Sequence, residues 1–289
     1  MRNSLCKSMT VISIIFIPIL FCCASTQEKQ SESRDATAYY NQGRAYGQKG
    51  QYDQAISDYG KALEIDPKFA KAYNNRGIAY RQKGQYDQAI SDYNKALEID
   101  PKFATAYNNR GNAYGQKGQH DQAISDYNKA IEINPRDATA YYNRGCAYGQ
   151  KGQHDQEIAD YNKALQINPR DAEAYNNRGY AYGEKGQYDQ AISDYGKALE
   201  INPRYAKAYN NRGYAYGKKR QYDQAISDYN KALEINPRDA EVYYSRGVAY
   251  YFKKTYDKSW EDVKKAQNLG YQVSPKFLDD LRKASGRKK

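Results

Sequence analysis

Proline returns every 34 residues along most of the chain, at Pro67, Pro101, Pro135, Pro169, Pro203 and Pro237. Self-similarity at a fixed period of this length marks an array of small stacked units, because one such unit cannot bury its apolar face alone. Counted from Ala36, units begin at Ala36, Ala70, Ala104, Ala138, Ala172, Ala206 and Ala240, and a short tail follows 273. Within a unit, apolar residues recur at three- and four-residue steps over about positions 1–14 and again over about 17–30. Ala89, Ile90, Tyr93, Ala96 and Leu97 form one such stripe. That period predicts two amphipathic helices per unit and no strands. Glycine at position 15 (Gly50, Gly84, Gly118, Gly152, Gly186) suits the turn between them, and the proline ends the second helix. Asp35, Asp137, Asp171 and Asp239 stand where the cap of the following first helix belongs.

Composition fits a thin array better than a globule. The chain of 289 residues holds 33 Tyr against 6 Phe, 2 Met and 1 Trp. A tyrosine ring is a large apolar body whose hydroxyl needs a partner, so a core built on it must keep many ring edges near polar groups. The formal net charge of +11 bears on steering towards anionic partners and says nothing of fold. Cys146 is the one cysteine in the repeats, so no disulfide framework is expected there.

The first residues read as an address. Arg2 and Lys7 precede an apolar run from Val11 to Phe21, followed by Ala24 and Ser25, the three-part layout of an export signal. The run is shorter than the roughly 20 residues of a membrane span. Cys22 and Cys23 resemble the cleavage site of a bacterial lipoprotein, with Leu20 at the favoured place before Cys23 but Phe21 and Cys22 where small residues are preferred. A signal over 1–24 with lipidation at Cys23 or Cys22 is expected; ordinary cleavage after Ala24, releasing a soluble periplasmic or secreted chain, is the alternative. Residues 25–35 are polar and read as a linker.

The repeat columns resemble the tetratricopeptide repeat. They carry Tyr at position 4 (Tyr39, Tyr73, Tyr107 and onward), Gly at 8, Tyr at 11, Ala at 20 and 27, Tyr at 24 and Pro at 32. The resemblance covers 36 to about 270. It implies an all-α fold, an α-solenoid: a right-handed superhelix of about seven helical hairpins (36–69, 70–103, 104–137, 138–171, 172–205, 206–239, 240–273) with a capping helix and basic tail over 274–289. It also implies a concave groove lined by positions 2, 5, 6, 9, 12 and 13 of each first helix, where a protein or extended peptide is held. The groove candidates are Asn41, Asn75, Asn109, Asn143, Asn177 and Asn211 at position 6, with Asn74, Asn108, Asn176, Asn210 and Tyr142 at position 5. Asn offers both donor and acceptor to a peptide backbone; the same residues would also serve as a polar wall bonded to neighbouring helices. Position 9 varies most, including Tyr180 and Tyr214, and is where partner choice would reside.

Two further columns matter. Arg76, Arg110, Arg144, Arg178, Arg212 and Arg246 fill position 7, where the family favours an apolar residue, and Asp fills position 23. Internal ion pairing is expected, with an Arg stripe for phosphate as the alternative. Glu157 replaces the usual Ala at position 20 of the fourth unit, which is expected to loosen packing. The Lys and Asn clamp by which some relatives hold chaperone carboxylates is not matched, since position 5 is never Lys. His120 and His154 replace Tyr at position 17 of separate units, so no metal site is expected, and no catalytic pair or cofactor loop is present. The expected function is an exported, non-enzymatic scaffold in envelope assembly or secretion. Binding of a polyanion or nucleic acid is a second reading, which export and the placement of most Tyr in core columns argue against; an accessory role in cell-wall metabolism is a third.

Overall fold

A computed structural model describes residues 35–287, and there all regular structure is helical. The expected signal, the lipidation cysteines Cys22 and Cys23, and the linker up to residue 34 lie outside the described residues. The helices fall into two compact units. The first carries α1 (35–48), α2 (Tyr52–Ile65), α3 (Ala70–Gln82), α4 (Tyr86–Ile99) and α5 (Ala104–Gln116). The second begins at His120 and carries α6 (His120–Ile133), α7 (Ala138–Gln150), α8 (His154–Ile167), α9 (Ala172–Glu184) and α10 (Tyr188–Ile201). It continues through α11 (Ala206–Lys218), α12 (Tyr222–Ile235), α13 (Ala240–Phe252), α14 (Tyr256–Asn268) and α15 (Pro275–Ser285).

Within each unit a second helix packs on the first helix of its own repeat, as α4 does on α3 and α10 on α9, and also on the first helix of the next, as α4 does on α5 and α10 on α11. First helices of neighbouring repeats also touch: α3 meets α5, α9 meets α11, and α11 meets α13. Within each unit no two second helices make a comparable contact. The first helices therefore form the closer-spaced, inner row of each unit, and the second helices the outer row.

Small residues make this spacing possible. The alanines at position 3, among them Ala72, Ala106, Ala140, Ala174 and Ala208, are wholly buried. Tyr at position 24 lays its ring across Gly at position 8: a Cβ added to Gly77 would sit 2.7 Å from Cε1 of Tyr93, and one added to Gly213 would sit 2.8 Å from Cε1 of Tyr229. Repeat seven has Val263 in the tyrosine place, with its Cγ2 3.2 Å from the same point over Gly247.

First helices start in two ways. Asp137, Asp171 and Asp239 cap α7, α9 and α13 by accepting from main-chain amides, Asp171 at 2.9 Å from Ala174 N. Asp35, at the corresponding place, is the first of the described residues and already lies in the helix. Where the position is aromatic (Phe69, Phe103, Tyr205), there is no side-chain cap. The ring instead packs among buried Ala and Leu of the preceding second helix, so apolar burial substitutes for the capping bond.

The interhelix turn at position 15 needs left-handed backbone. Gly50, Gly84, Gly118, Gly152 and Gly186 all have φ between 70° and 74°. Repeats six and seven put Arg220 and Lys254 there, both at φ 61°. A side chain in this region costs about 1–2 kcal/mol, part of which glycine returns through unfolded-state entropy. Arg220→Gly and Lys254→Gly should therefore each stabilise the chain by about 1 kcal/mol. Urea unfolding measures this, and an unchanged midpoint would mean the turn carries no strain.

The end of the array imitates one more repeat. Lys at position 14 pairs with Asp at position 18 of the preceding repeat, as in Lys83–Asp53, Lys117–Asp87, Lys151–Asp121 and Lys219–Asp189. Arg287 meets Asp257 at 2.8 Å with the same 30-residue offset. Trp260 donates from Nε1 to Ser285 Oγ at 3.0 Å, and Leu281 is wholly buried. The helix α15 thus stands where the first helix of an eighth repeat would.

Candidate functional site: the first-helix face

The arginine column is internal scaffolding. Arg76 donates Nε and Nη2 to the two oxygens of Asp92, both at 2.8 Å. Arg144–Asp160, Arg178–Asp194, Arg212–Asp228 and Arg246–Asp262 repeat the fork at 2.6–2.8 Å. The third nitrogen reaches the preceding repeat: Nη1 of Arg144 donates to Asn128 at 2.5 Å and that of Arg178 to Asn162 at 2.6 Å. Tyr at position 4 lies under the guanidinium, 5.4 Å away in Arg178–Tyr175. A guanidinium forked onto a buried carboxylate and covered on one face by tyrosine is structural; where Gly60 and Gly196 replace the asparagine, Nη1 of Arg76 and Arg212 lacks the third bond. Repeat one has Gln42 instead of Arg, and its Asp58, 4% exposed, has Oδ2 buried without a hydrogen bond while Lys61 lies 3.3 Å from Oδ1.

The asparagine columns are knitted sideways. Position 6 donates to position 5 of the preceding repeat: Asn75 to Tyr40 at 3.0 Å, Asn109 to Asn74 at 3.0 Å, Asn177 to Tyr142 at 2.9 Å and Asn211 to Asn176 at 3.0 Å. Asn74, Asn108 and Asn176 are buried, Asn176 with 0% exposure, and so offer a ligand almost no surface. Asn74 and Asn176 accept those bonds and so lie beneath the next first helix. Asn143 and Asn210 are half-buried, and Asn41 is exposed at the start of the row. The Tyr59 hydroxyl also bonds Asn75, and burial pushes its pKa up to about 12.

What the face presents outward is position 9. Tyr180 and Tyr214 are 53% and 55% exposed, against a background of buried or half-buried neighbours in the same helices. Phe252, at position 13 of the last repeat, is 55% exposed and stacks on Tyr222 at 5.4 Å. Position 12 is glycine beside each exposed tyrosine, and a Cβ on Gly183 or Gly217 would meet nothing within 4 Å, so backbone can approach closely there. Between the first and second repeats, Arg44, Gly47, Gln48, Asn75, Ile78 and Gln82 help line an open depression of about 260 Å³.

Repeat four differs from the rest. Glu157 is 5% exposed, and its carboxylate lies over Gly149, where a Cβ would meet Oε1 at 2.6 Å. It bonds His154 Nδ1 at 2.9 Å. Burial raises the Glu157 pKa, with the His154 and Tyr161 bonds opposing. Nearby, Cys146 Sγ is 3.3 Å from the Tyr161 hydroxyl, and burial raises its pKa too, which makes it a poor nucleophile. Among the described residues no three His, Cys, Asp or Glu side chains converge as metal ligands.

The Glu157 carboxyl gives a pH prediction. Its folded-state pKa lies above the ordinary 4.5, so ionising it opposes folding near pH 7, and that penalty fades as pH falls through the raised value and below 4.5. Glu157→Ala should be more stable than the natural chain by about 1 kcal/mol near pH 7, with the gap closing on acidification. A gap that stays constant from pH 7 to 4 in thermal unfolding would contradict this.

Paired antiparallel helices, stacked at a 34-residue period with the first helices forming the inner row of each unit, define an α-solenoid scaffold. The family models agree. A model described as TPR repeat matches residues 43–80, 78–118, 111–152 and 147–186, and two described as tetratricopeptide repeat match 172–205, 206–239 and 228–261. The chain belongs to the tetratricopeptide-repeat family. Among solved structures, a tetratricopeptide repeat protein from Parabacteroides merdae is similar in fold, at 23% identity and a TM-score of 0.63 over 88% of this chain and all of that one. MamA is 32% identical, with a TM-score of 0.54 over 57% of this chain and 96% of its own. YrrB, described as a TPR protein with an unusual peptide-binding site, is 28% identical, with a TM-score of 0.56 over 68% of this chain and 97% of its own. No curated protein matched the chain. Scaffolds of this family bind proteins and peptides.

Proposed function

We propose that this chain is an exported scaffold, tethered by lipid at Cys23 or Cys22, that holds an extended peptide or a partner's helix along its first-helix face during envelope assembly or secretion. The observation that carries the binding reading is the exposed pair Tyr180 and Tyr214. In an array whose packing columns are nearly uniform, two large rings stand more than half in solvent on successive repeats, each beside an unobstructed glycine. Exposed aromatic anchors on a rigid surface are the usual carriers of binding energy. The likeness to YrrB, itself described by a peptide-binding site, supports the same reading. No helix among the described residues is long and apolar enough to cross a membrane, and the tether in this proposal rests on the first 24 residues alone.

Partner capture from envelope extracts tests it, comparing the natural chain with a Tyr180→Ala/Tyr214→Ala variant. Both rings are exposed, so the variant should unfold at the same urea concentration while losing the captured protein. Equal capture by both would move the site off this face. The asparagines are poorer targets for that experiment, since Asn109 and Asn177 bond neighbouring repeats and their loss would weaken the array itself.

A further inference from the structure

Repeats five and six present the same exposed ring with opposite companions. In repeat six, Lys218 stands one turn beyond Tyr214, with Nζ 5.1 Å from the ring centroid, so this ring already carries a cation on its face. In repeat five the corresponding residue is Glu184, exposed and one turn beyond Tyr180 on the same face of α9. Among the described residues no Lys or Arg lies over Tyr180. Burial raises the pKa of the Tyr180 phenol, and the negative charges of Glu184 and Glu157 add to the rise. Glu157 and Glu173 act in the same way on Cys146, the position 9 residue of the preceding repeat. This acidic neighbourhood is local to the second unit. On the same face of the first unit the charged residues at positions 2, 9 and 12 are Arg44, Lys71 and Arg81.

A ring with no cation over its face and an exposed carboxylate one turn along the same helix is complementary to a guanidinium or ammonium group. The ring quadrupole attracts the cation, and the acids supply Coulombic attraction and acceptors for its N–H groups. Gly183, one turn along from Tyr180, leaves room for the main chain that bears the cation. We infer that the Tyr180–Glu184 site in repeat five takes an arginine or lysine side chain of the bound peptide, so that the partner segment is basic where it crosses repeats four to six. Lys218 fills the neighbouring site from within, which sets the register by leaving one vacancy and not two. The inference rests on the first-helix face being the binding face.

The test uses the full chain and two fluorescein-labelled, end-capped Gly/Ser decapeptides differing only in one central residue, arginine or its neutral isostere citrulline. Fluorescence anisotropy should show the arginine peptide binding about 10-fold tighter, a factor within the range of a desolvated cation–π contact plus a carboxylate. The preference should fall below about 2-fold in Tyr180→Ala and in Glu184→Gln, neither of which touches the core. Lys218→Glu should raise the affinity of a peptide carrying a second arginine, by opening the site in repeat six. Equal binding of the two peptides, or a preference that survives both substitutions, overturns the inference while leaving the groove reading standing. Absence of binding by either peptide overturns it as well, and partner capture with the tyrosine pair then decides the groove reading separately.

Discussion

Asp194→Ala should cost about 3 kcal/mol. Asp194 is 5% exposed and takes both Nε and Nη2 of Arg178, whose own side chain is only 18% exposed. Deleting the carboxylate leaves a half-buried guanidinium held by Asn162 and the Tyr175 ring alone. The cost arises from the unpaired charge more than from the pair's own attraction, and a companion variant separates the two. Arg178→Met/Asp194→Leu removes both charges and fills the space with apolar side chains, and it should recover most of the loss. Stability in such arrays is a sum of repeat and nearest-neighbour terms, so the damage should be local. Hydrogen exchange should rise in α9 and α10 first and leave α13 and α14 protected. A double variant as unstable as Asp194→Ala would show that the geometry of the pair, and not its charge balance, holds the repeat together.

Two glycines four residues apart on α11 should respond to the same substitution with opposite signs. At Gly213 a new Cβ falls 2.8 Å from Cε1 and 3.0 Å from Cδ1 of Tyr229, a ring that is 3% exposed and cannot swing away. Overpacking of this kind costs about 1–3 kcal/mol and exceeds the roughly 1 kcal/mol that alanine gains over glycine in a helix. Gly213→Ala should therefore destabilise the chain by about 2 kcal/mol net at the upper end of that range. At Gly217 nothing lies within 4 Å. Gly217→Ala should stabilise by up to about 1 kcal/mol. Guanidinium unfolding of both variants measures this, and changes of equal sign would contradict the assignment of position 8 as a ring seat and position 12 as open face.

Periodicity made the fold legible. Two apolar stripes, a turn glycine and a terminal proline per 34 residues define a helical hairpin, and the hairpin's inability to bury itself forces stacking. The pairing of Arg at position 7 with Asp at position 23 was readable from the columns too, because six arginines on packed helices need partners. Its finer features were harder to read. The asparagine at position 25 that receives Nη1 belongs to the preceding repeat, a register that spacing within one unit does not supply. The columns at positions 5 and 6 looked alike in sequence, yet their packing differs: position 5 is buried in Asn74, Asn108 and Asn176, with Asn74 and Asn176 bonded to the next first helix, while position 6 stays half-exposed beyond the exposed Asn41. Arg220 and Lys254 were visible departures from the glycine column, and the left-handed turn makes them strained. The stretch from Pro275 could be read as a cap, but its imitation of an eighth first helix depends on the Arg287–Asp257 contact.

The claim that matters most is that partners lie along the first-helix row. Placing the photoreactive residue p-benzoylphenylalanine at Tyr180 or Tyr214, and separately at exposed Lys197 or Ser193 on the outer helix α10, tests it directly. Irradiation of envelope fractions followed by mass spectrometry should yield one peptide adduct, shared by the two inner positions and missing from the outer ones. Adducts formed at Lys197 or Ser193 and not at Tyr180 or Tyr214 would contradict the account and place recognition on the outer row.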